Sequence, residues 1–156
     1  MPGSKTADPL VRPCRAEDAP AVRELLKCSP EAAQWTEWGF RELLGWHGVV
    51  ALVNEDDERK VSGFIVARQA AAEAEILNLA VIPAKRRKGE GGALLKAALD
   101  EFRARQVSRV FLEVRESNEG GIAFYARHGF AKSGRRARYY RDPEDAAVLM
   151  EKQLKA

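Results

Sequence analysis

The sequence predicts a single α/β domain built on one mixed sheet and flanked by about four helices. Two observations carry this expectation. Runs rich in β-formers alternate with apolar residues at helical spacing along the chain, which is the pattern of a mixed α/β sheet. The length, 156 residues, is enough for one domain with a real core and too small for two comfortable ones. Apolar residues make up 46% and charged residues 31%, the balance of a globular chain rather than a disordered one.

The elements follow in order. Leu10 to Arg12 reads as a short strand, with Pro13 close behind it. Glu17 to Cys28 carries Ala21, Val22, Leu25 and Leu26 at helical spacing, and Asp18 with Pro20 suits a helix start. Thr36 is placed to cap a second helix running through Phe40, Leu43 and Leu44, with Gly45 or Gly48 ending it. Val49 to Val53 and Val61 to Ala67 are β-rich, and the polar stretch Asn54 to Lys60 between them predicts a hairpin. Glu75 to Val81 is a strand ended by Pro83. Ala93 to Arg105 has Leu94, Leu95, Ala98, Leu99 and Phe102 on one helical face. Arg109 to Arg115 is a strand, and Asn118 to His128 a helix stopped by Gly129. Phe130 onward and Ala147 to Leu154 close the sheet.

Several classes are excluded by composition. No stretch approaches the roughly 18 unbroken apolar residues of a membrane span. Residues 1–8 have no apolar run behind Lys5 and are expected to be a flexible lead-in, with the domain occupying 9–156. Twenty-six Lys and Arg against 23 Asp and Glu give a net charge of +3, too mild an excess to predict a DNA partner. Two cysteines, Cys14 and Cys28, and two histidines argue against a disulfide framework or a metal site. A reduced, cytoplasmic protein is expected. The oligomeric state is left open.

The segment from Leu79-Ala80-Val81 through Lys85-Arg86-Arg87-Lys88-Gly89-Glu90-Gly91-Gly92 is the most informative. A strand runs into a basic, glycine-rich turn, and the turn opens an amphipathic helix. Such a helix start offers free backbone N–H groups and the positive end of the dipole to an anion. Glycines let the backbone approach a pyrophosphate. An ordinary strand-to-helix turn with a solvated basic face would explain a lone glycine cluster. The ordered succession of strand, proline, basic run, glycines and helix favours phosphate binding instead. It is neither a Walker loop nor a dinucleotide fingerprint.

Arg86-x-x-Gly89-x-Gly91 resembles the Arg/Gln-x-x-Gly-x-Gly/Ala signature of GNAT acetyltransferases. The resemblance implies that Arg86, Arg87, Lys88, Gly89, Glu90, Gly91 and Gly92 hold the pyrophosphate of acetyl-CoA. It also implies a mostly antiparallel sheet with a splayed parallel strand pair, where Leu79, Ala80 and Val81 pair with the pantetheine arm. Glu90 departs from the pattern, since the family usually has an apolar residue there. Its carboxylate is expected to point outward or to pair with the arginines.

Leu112-Glu113-Val114-Arg115-Glu116-Ser117-Asn118, with Tyr125 seven residues on and then Gly129-Phe130, resembles more narrowly the bacterial ribosomal-protein alanine acetyltransferases within GNAT. Alternation puts Val110, Leu112 and Val114 on one face of the strand and Phe111, Glu113 and Arg115 on the other. Alone, Glu113 would be a solvated strand residue and Tyr125 a core residue. The resemblance makes Glu113 the general base, Tyr125 the general acid and Asn118 a coenzyme A contact. Tyr139 and Tyr140 are then substrate-binding, and no metal is implied. The acceptor is a protein or peptide N-terminus.

The chemistry agrees. An α-amino group has a pKa of roughly 7.7–8.0 against about 10.4 for lysine, so a carboxylate acting through water can free it more readily. A tyrosine hydroxyl can protonate the departing thiolate. The alternatives are a GNAT acting on a small-molecule amine or internal lysine, and a non-enzymatic RNA-binding module using the basic run Arg135 to Arg141.

Overall fold

A computed structural model describes residues 10–86 and 88–155; the expected lead-in 1–8 lies outside them. Seven strands form one sheet: β1 (Leu10–Pro13), β2 (Val49–Glu55), β3 (Val61–Ala70), β4 (Glu73–Val81), β5 (Arg109–Arg115), β6 (Ala131–Tyr140) and β7 (Asp145–Gln153). Their order is β1-β2-β3-β4-β5-β7-β6. Every neighbouring pair is antiparallel except β4 and β5, which run parallel. The helices are α1 (Ala19–Lys27), α2 (Glu37–Leu44), α3 (Glu90–Ala104) and α4 (Glu119–Arg127).

The apolar spacing places each helix. Ala19, Val22, Leu25 and Leu26 of α1 and Phe40 and Leu43 of α2 pack against Val53, Phe64 and Val66 on one face of the sheet. Leu94, Leu95, Ala98, Leu99 and Phe102 of α3, with Tyr125 of α4, pack on the other face against Ile65, Ile76, Val110 and Leu112. Each large apolar side chain so buried contributes about 1.5–3 kcal/mol of transfer free energy. Thr36 caps α2 as expected, its hydroxyl accepting from the Gly39 amide at 3.0 Å.

Helix boundaries differ from the sequence expectation in two places. A short 3-10 turn, Ala16–Asp18, precedes α1, so the helix begins at Ala19 rather than Glu17. It forms because the Asp18 carboxylate holds the Arg15 amide (2.7 Å) and the Arg12 guanidinium (2.8 and 2.9 Å), tying β1 to the helix start. At α3 the helix begins at Glu90, three residues before Ala93. Gly89 stands at its N-cap with φ +83, a left-handed conformation that glycine adopts without a Cβ clash. Gly91 and Gly92 are therefore helical and not part of the turn.

A bulge in β4 was invisible in the sequence. Val66 lies opposite Asn78 and Ala67 opposite Ile76, so Leu77 is the extra residue. It flips the alternation: Ala74, Ile76, Leu79 and Val81 face α3 and α4, whereas Leu77 and Ala80 face α1 and α2. A one-residue insertion of this kind shifts which positions of the strand face each core.

Candidate active site

The β4–β5 pairing covers only Glu73 to Ile76 against Arg109 to Leu112. Beyond it, Leu79, Ala80 and Val81 keep ladder partners only in β3, and Glu113 to Arg115 only in β7. The two parallel strands thus splay, leaving free backbone edges along a wedge. Closure at the other end comes from the Ser108 amide, which donates to the Ala72 carbonyl at 2.7 Å.

The glycine-rich turn sits beside this wedge. Gly89 provides no side-chain cap, and the first intrahelical bond runs from Ala93 N to Gly89 O at 2.9 Å. The amides of Glu90, Gly91 and Gly92 therefore have no intrahelical acceptor, which leaves them available to an anion. Gly91 and Gly92 have a second reason to be glycine. A Cβ on Gly91 would stand 3.4 Å from the Phe124 ring, and one on Gly92 would stand 3.0 Å from His128 Nε2. Their absence lets α4 seat tightly on the first turn of α3.

The charged residues of the turn divide in use. Arg86 donates through Nε to the Val81 carbonyl (3.1 Å) and through Nη2 to Ser29 Oγ (3.0 Å) and Glu31 Oε1 (3.1 Å). Its guanidinium clamps the end of β4 to the segment after α1. Lys88 is exposed. Arg87 lies outside the described residues. Glu90 does not point outward, and among the described residues it pairs with no arginine. It is buried, and its carboxylate accepts from Ser62 Oγ at 2.9 Å while Asn54 Nδ2 donates to the same hydroxyl at 3.0 Å. A hydroxyl from β3 draws the carboxylate inward beneath the helix.

Glu113 is the first β5 residue past the paired portion. Its neighbours Leu112 and Val114 face α3 and α4, so Glu113 faces the α1–α2 side, as alternation predicts. Its side chain is 21% exposed, with Arg136 Nη1 3.8 Å from Oε1. The Tyr139 hydroxyl is held above its usual pKa by a hydrogen bond to Glu113 and by that carboxylate's charge. Arg136 also lies over the Tyr139 ring, at 5.5 Å, and Arg115 over the Tyr140 ring at 4.3 Å. Tyr139 and Tyr140 stack edge-on with centroids 5.1 Å apart. Burial pushes the Tyr140 hydroxyl above its usual value, with the Glu113 charge adding to it.

Tyr125 occupies the opposite face. It is buried between Phe124 and Phe130, with ring centroids at 5.1 and 5.5 Å. Burial raises its pKa well above the ordinary tyrosine value, so the hydroxyl keeps its proton. Asn118 is the N-cap of α4: its Oδ1 accepts from the Gly121 amide at 2.9 Å, leaving its amide nitrogen for other partners.

Two residues of the site escaped the sequence reading. Glu75 lies opposite Phe111 on β5 and on the Glu113 face. Burial and the Glu113 charge raise its carboxyl above the usual range. The parallel pairing that joins it to Glu113 is the signal that strand periodicity alone lacked. His128, the C-cap of α4, owes its place to Gly92, 36 residues earlier. The basic strand β6 is exposed almost throughout. Arg135 pairs with Glu116, Arg136 approaches Glu113, and Arg138 lies 3.4 Å from Glu144, so much of its charge is answered within the chain. Among the described residues no group of three or more His, Cys, Asp or Glu could hold a metal ion.

A sheet with one splayed parallel pair, and a glycine turn opening a helix beside the splay, define an acyl-carrier-dependent transferase fold. The profile of the acetyltransferase (GNAT) family matches residues 19–130, and the chain belongs to that family. It is 38% identical over 93 residues to the [ribosomal protein bS18]-alanine N-acetyltransferase of Escherichia coli (strain K12), a match spanning 58% of this chain and 63% of that protein. It is 32% identical over 135 residues to the enzyme of that name from Salmonella typhimurium, covering 85% of this chain and 89% of that one. The crystal structure of the ribosomal-protein-S18-alanine N-acetyltransferase from Escherichia coli superposes with a TM-score of 0.83 at 27% identity, covering 96% of each chain.

Proposed function

We propose that this protein transfers the acetyl group of acetyl-CoA to the α-amino group of a protein N-terminus, with the N-terminal alanine of a ribosomal protein as the acceptor. The observation that supports it best is that Glu113 stands where β5 leaves β4 on one face of the sheet, while Tyr125 lies on the other face. A base and an acid so placed serve opposite ends of one displacement. The names of the relatives support the acceptor.

Acetyl-CoA supplies the acetyl group as a thioester whose C–S bond breaks as the new C–N bond forms. The amides of Glu90, Gly91 and Gly92 receive its pyrophosphate. The free edge of Leu79, Ala80 and Val81 receives the pantetheine arm, and an N–H on it polarises the thioester carbonyl. Asn118 contributes its amide nitrogen. Glu113 takes the proton from the acceptor ammonium, directly or through a water, and later releases it to solvent. Tyr125 gives its proton to the departing sulfur, and the second proton that the attacking nitrogen loses on becoming an amide passes through solvent, from which Tyr125 regains its own. Tyr139 and Tyr140 bound the acceptor side beside Glu113. No covalent enzyme intermediate is required, and the free cysteines Cys14 and Cys28 fit a reduced, cytoplasmic setting.

The test is acetyl transfer to peptides starting with Ala, Ser, Gly or Met, and to an N-terminally blocked peptide with an internal lysine. Preference for the Ala peptide is expected. Acetylation of the blocked peptide alone would move the acceptor to lysine, and transfer only to small amines would remove the protein acceptor.

A further inference from the structure

We infer that Glu75 is a second anchor for the ammonium group of the acceptor, sharing it with Glu113. This deepens the reading that the acceptor amine meets Glu113, and it rests on that reading. The placement comes from strand register. Glu75 lies opposite Phe111 in the parallel pairing of β4 with β5. Glu113 is two residues beyond Phe111, so the two carboxylates leave the same face of adjacent strands. Strand rise and spacing put their Cα atoms about 8 Å apart, where the splay begins. At that separation one small cation can meet both side chains. Tyr139 senses both: its hydroxyl is held above its usual pKa chiefly by the hydrogen bond and charge of Glu113, and the charge of Glu75 adds to them.

The arginines on this face are already engaged. Arg68, opposite Glu75 on β3, donates to the His47 carbonyl at 3.3 Å and lies over the Trp46 ring at 5.0 Å. Arg109 pairs with Glu73 and Glu151. Arg115 donates to the carbonyls of Pro143 and Arg141. Arg136 stands 3.8 Å from Glu113. Among the described residues no cation pairs with Glu75. Burial, and then the like charge of Glu113, raises its carboxyl above the usual range. Two carboxylates thus stand against one guanidinium at the mouth of the wedge. A half-buried carboxylate without a partner is unfavourable. An ammonium brings the missing positive charge, and its several N–H groups can donate charge-assisted hydrogen bonds to both carboxylates. A neutral acceptor leaves the charge unanswered. Once Glu113 has taken a proton, Glu75 still faces the nitrogen, which becomes positive again as it attacks the thioester.

The test is peptide binding to the coenzyme A complex, in which no acetyl group can be transferred. One peptide starts with alanine. A second carries a hydroxyl in place of the α-amine and is otherwise the same. Binding is measured at about pH 6.5, where the α-amine is charged. The wild-type protein is expected to prefer the amine peptide. Glu75→Gln is expected to cut that preference about tenfold. Glu75→Thr, a second neutral variant with a good β-former, is expected to do the same, while Glu75→Asp keeps the charge and most of the preference. A purely structural residue would weaken both peptides alike. That outcome, or an unaltered preference in both neutral variants, would overturn the proposal. Glu113→Gln is measured alongside. Loss of the preference there, with the Glu75 variants unaffected, would strike Glu75 alone. A wild-type protein that does not prefer the amine peptide would instead remove the acceptor reading beneath it.

Discussion

The Ser62 hydroxyl on β3 holds the Glu90 carboxylate at 2.9 Å, beneath the first turn of the helix whose free amides are proposed to receive the pyrophosphate. A carboxylate at that helix start would otherwise compete with a phosphate for the same amides. Ser62→Ala is expected to free it and to weaken coenzyme A binding severalfold, measured by calorimetric titration. Glu90→Leu in the Ser62→Ala background is expected to restore affinity. Equal affinity in wild type and Ser62→Ala would show that the carboxylate stays out of the way unaided.

Tyr125 is tested by removing one atom. Its hydroxyl makes no hydrogen bond among the described residues, and the ring packs between Phe124 and Phe130. Tyr125→Phe is therefore expected to leave the melting temperature nearly unchanged while lowering kcat by about 10²–10⁴. Wild-type turnover in this variant would return Tyr125 to a packing role.

Glu113→Gln keeps the size of the side chain and removes its basicity. Acetyl transfer to an Ala-starting peptide is expected to fall with acetyl-CoA affinity retained. The deficit is expected to shrink as pH rises through roughly 8, where the α-amine deprotonates without help. A pH–rate series on both proteins measures this. A deficit that stays constant with pH would point away from proton removal.

The ion pair at the start of the fold predicts a pH-dependent stability. Asp18 is held below its ordinary carboxylate range, chiefly by its hydrogen bonds to Arg12. A carboxylate depressed in the folded state contributes stability above its unfolded pKa of about 3.9. That contribution is lost as pH falls through the depressed folded value. Asp18→Asn is expected to lower the melting temperature by several degrees at pH 7, the gap closing toward pH 2. Parallel thermal melts across that range would check it, and a gap independent of pH would assign the loss to packing.

Local chemistry made most of the framework legible. Thr36 before α2, Gly129 after α4 and the apolar stripe of α3 declared themselves through spacing alone. So did the orientation of Glu113, because strand alternation is local. What stayed hidden depends on partners distant in the chain. The extra residue at Leu77 is defined only against β3, and Glu75 joins Glu113 only through the parallel pairing. Read alone, Arg86 gives no sign that Ser29 and Glu31 stand beside it. Glu90 reads as a misplaced charge until Ser62 is placed under it, and His128 has no stated purpose without Gly92.

The four-position pairing of β4 with β5 has one more consequence. On either side of it lies an antiparallel block contiguous in sequence: β1 to β4 spans 10–81, and β5 to β7 spans 109–153. Those few parallel hydrogen bonds, and the stitch from Ser108 to Ala72, are what the sheet itself contributes to holding the blocks together. The joint is hinge-like: fastened at one end, open at the other, with α3 leading from the first block to the second. A small change in the angle between the blocks widens or narrows the open end far more than the fastened one. A ligand lying along the open end would meet residues of both blocks at once.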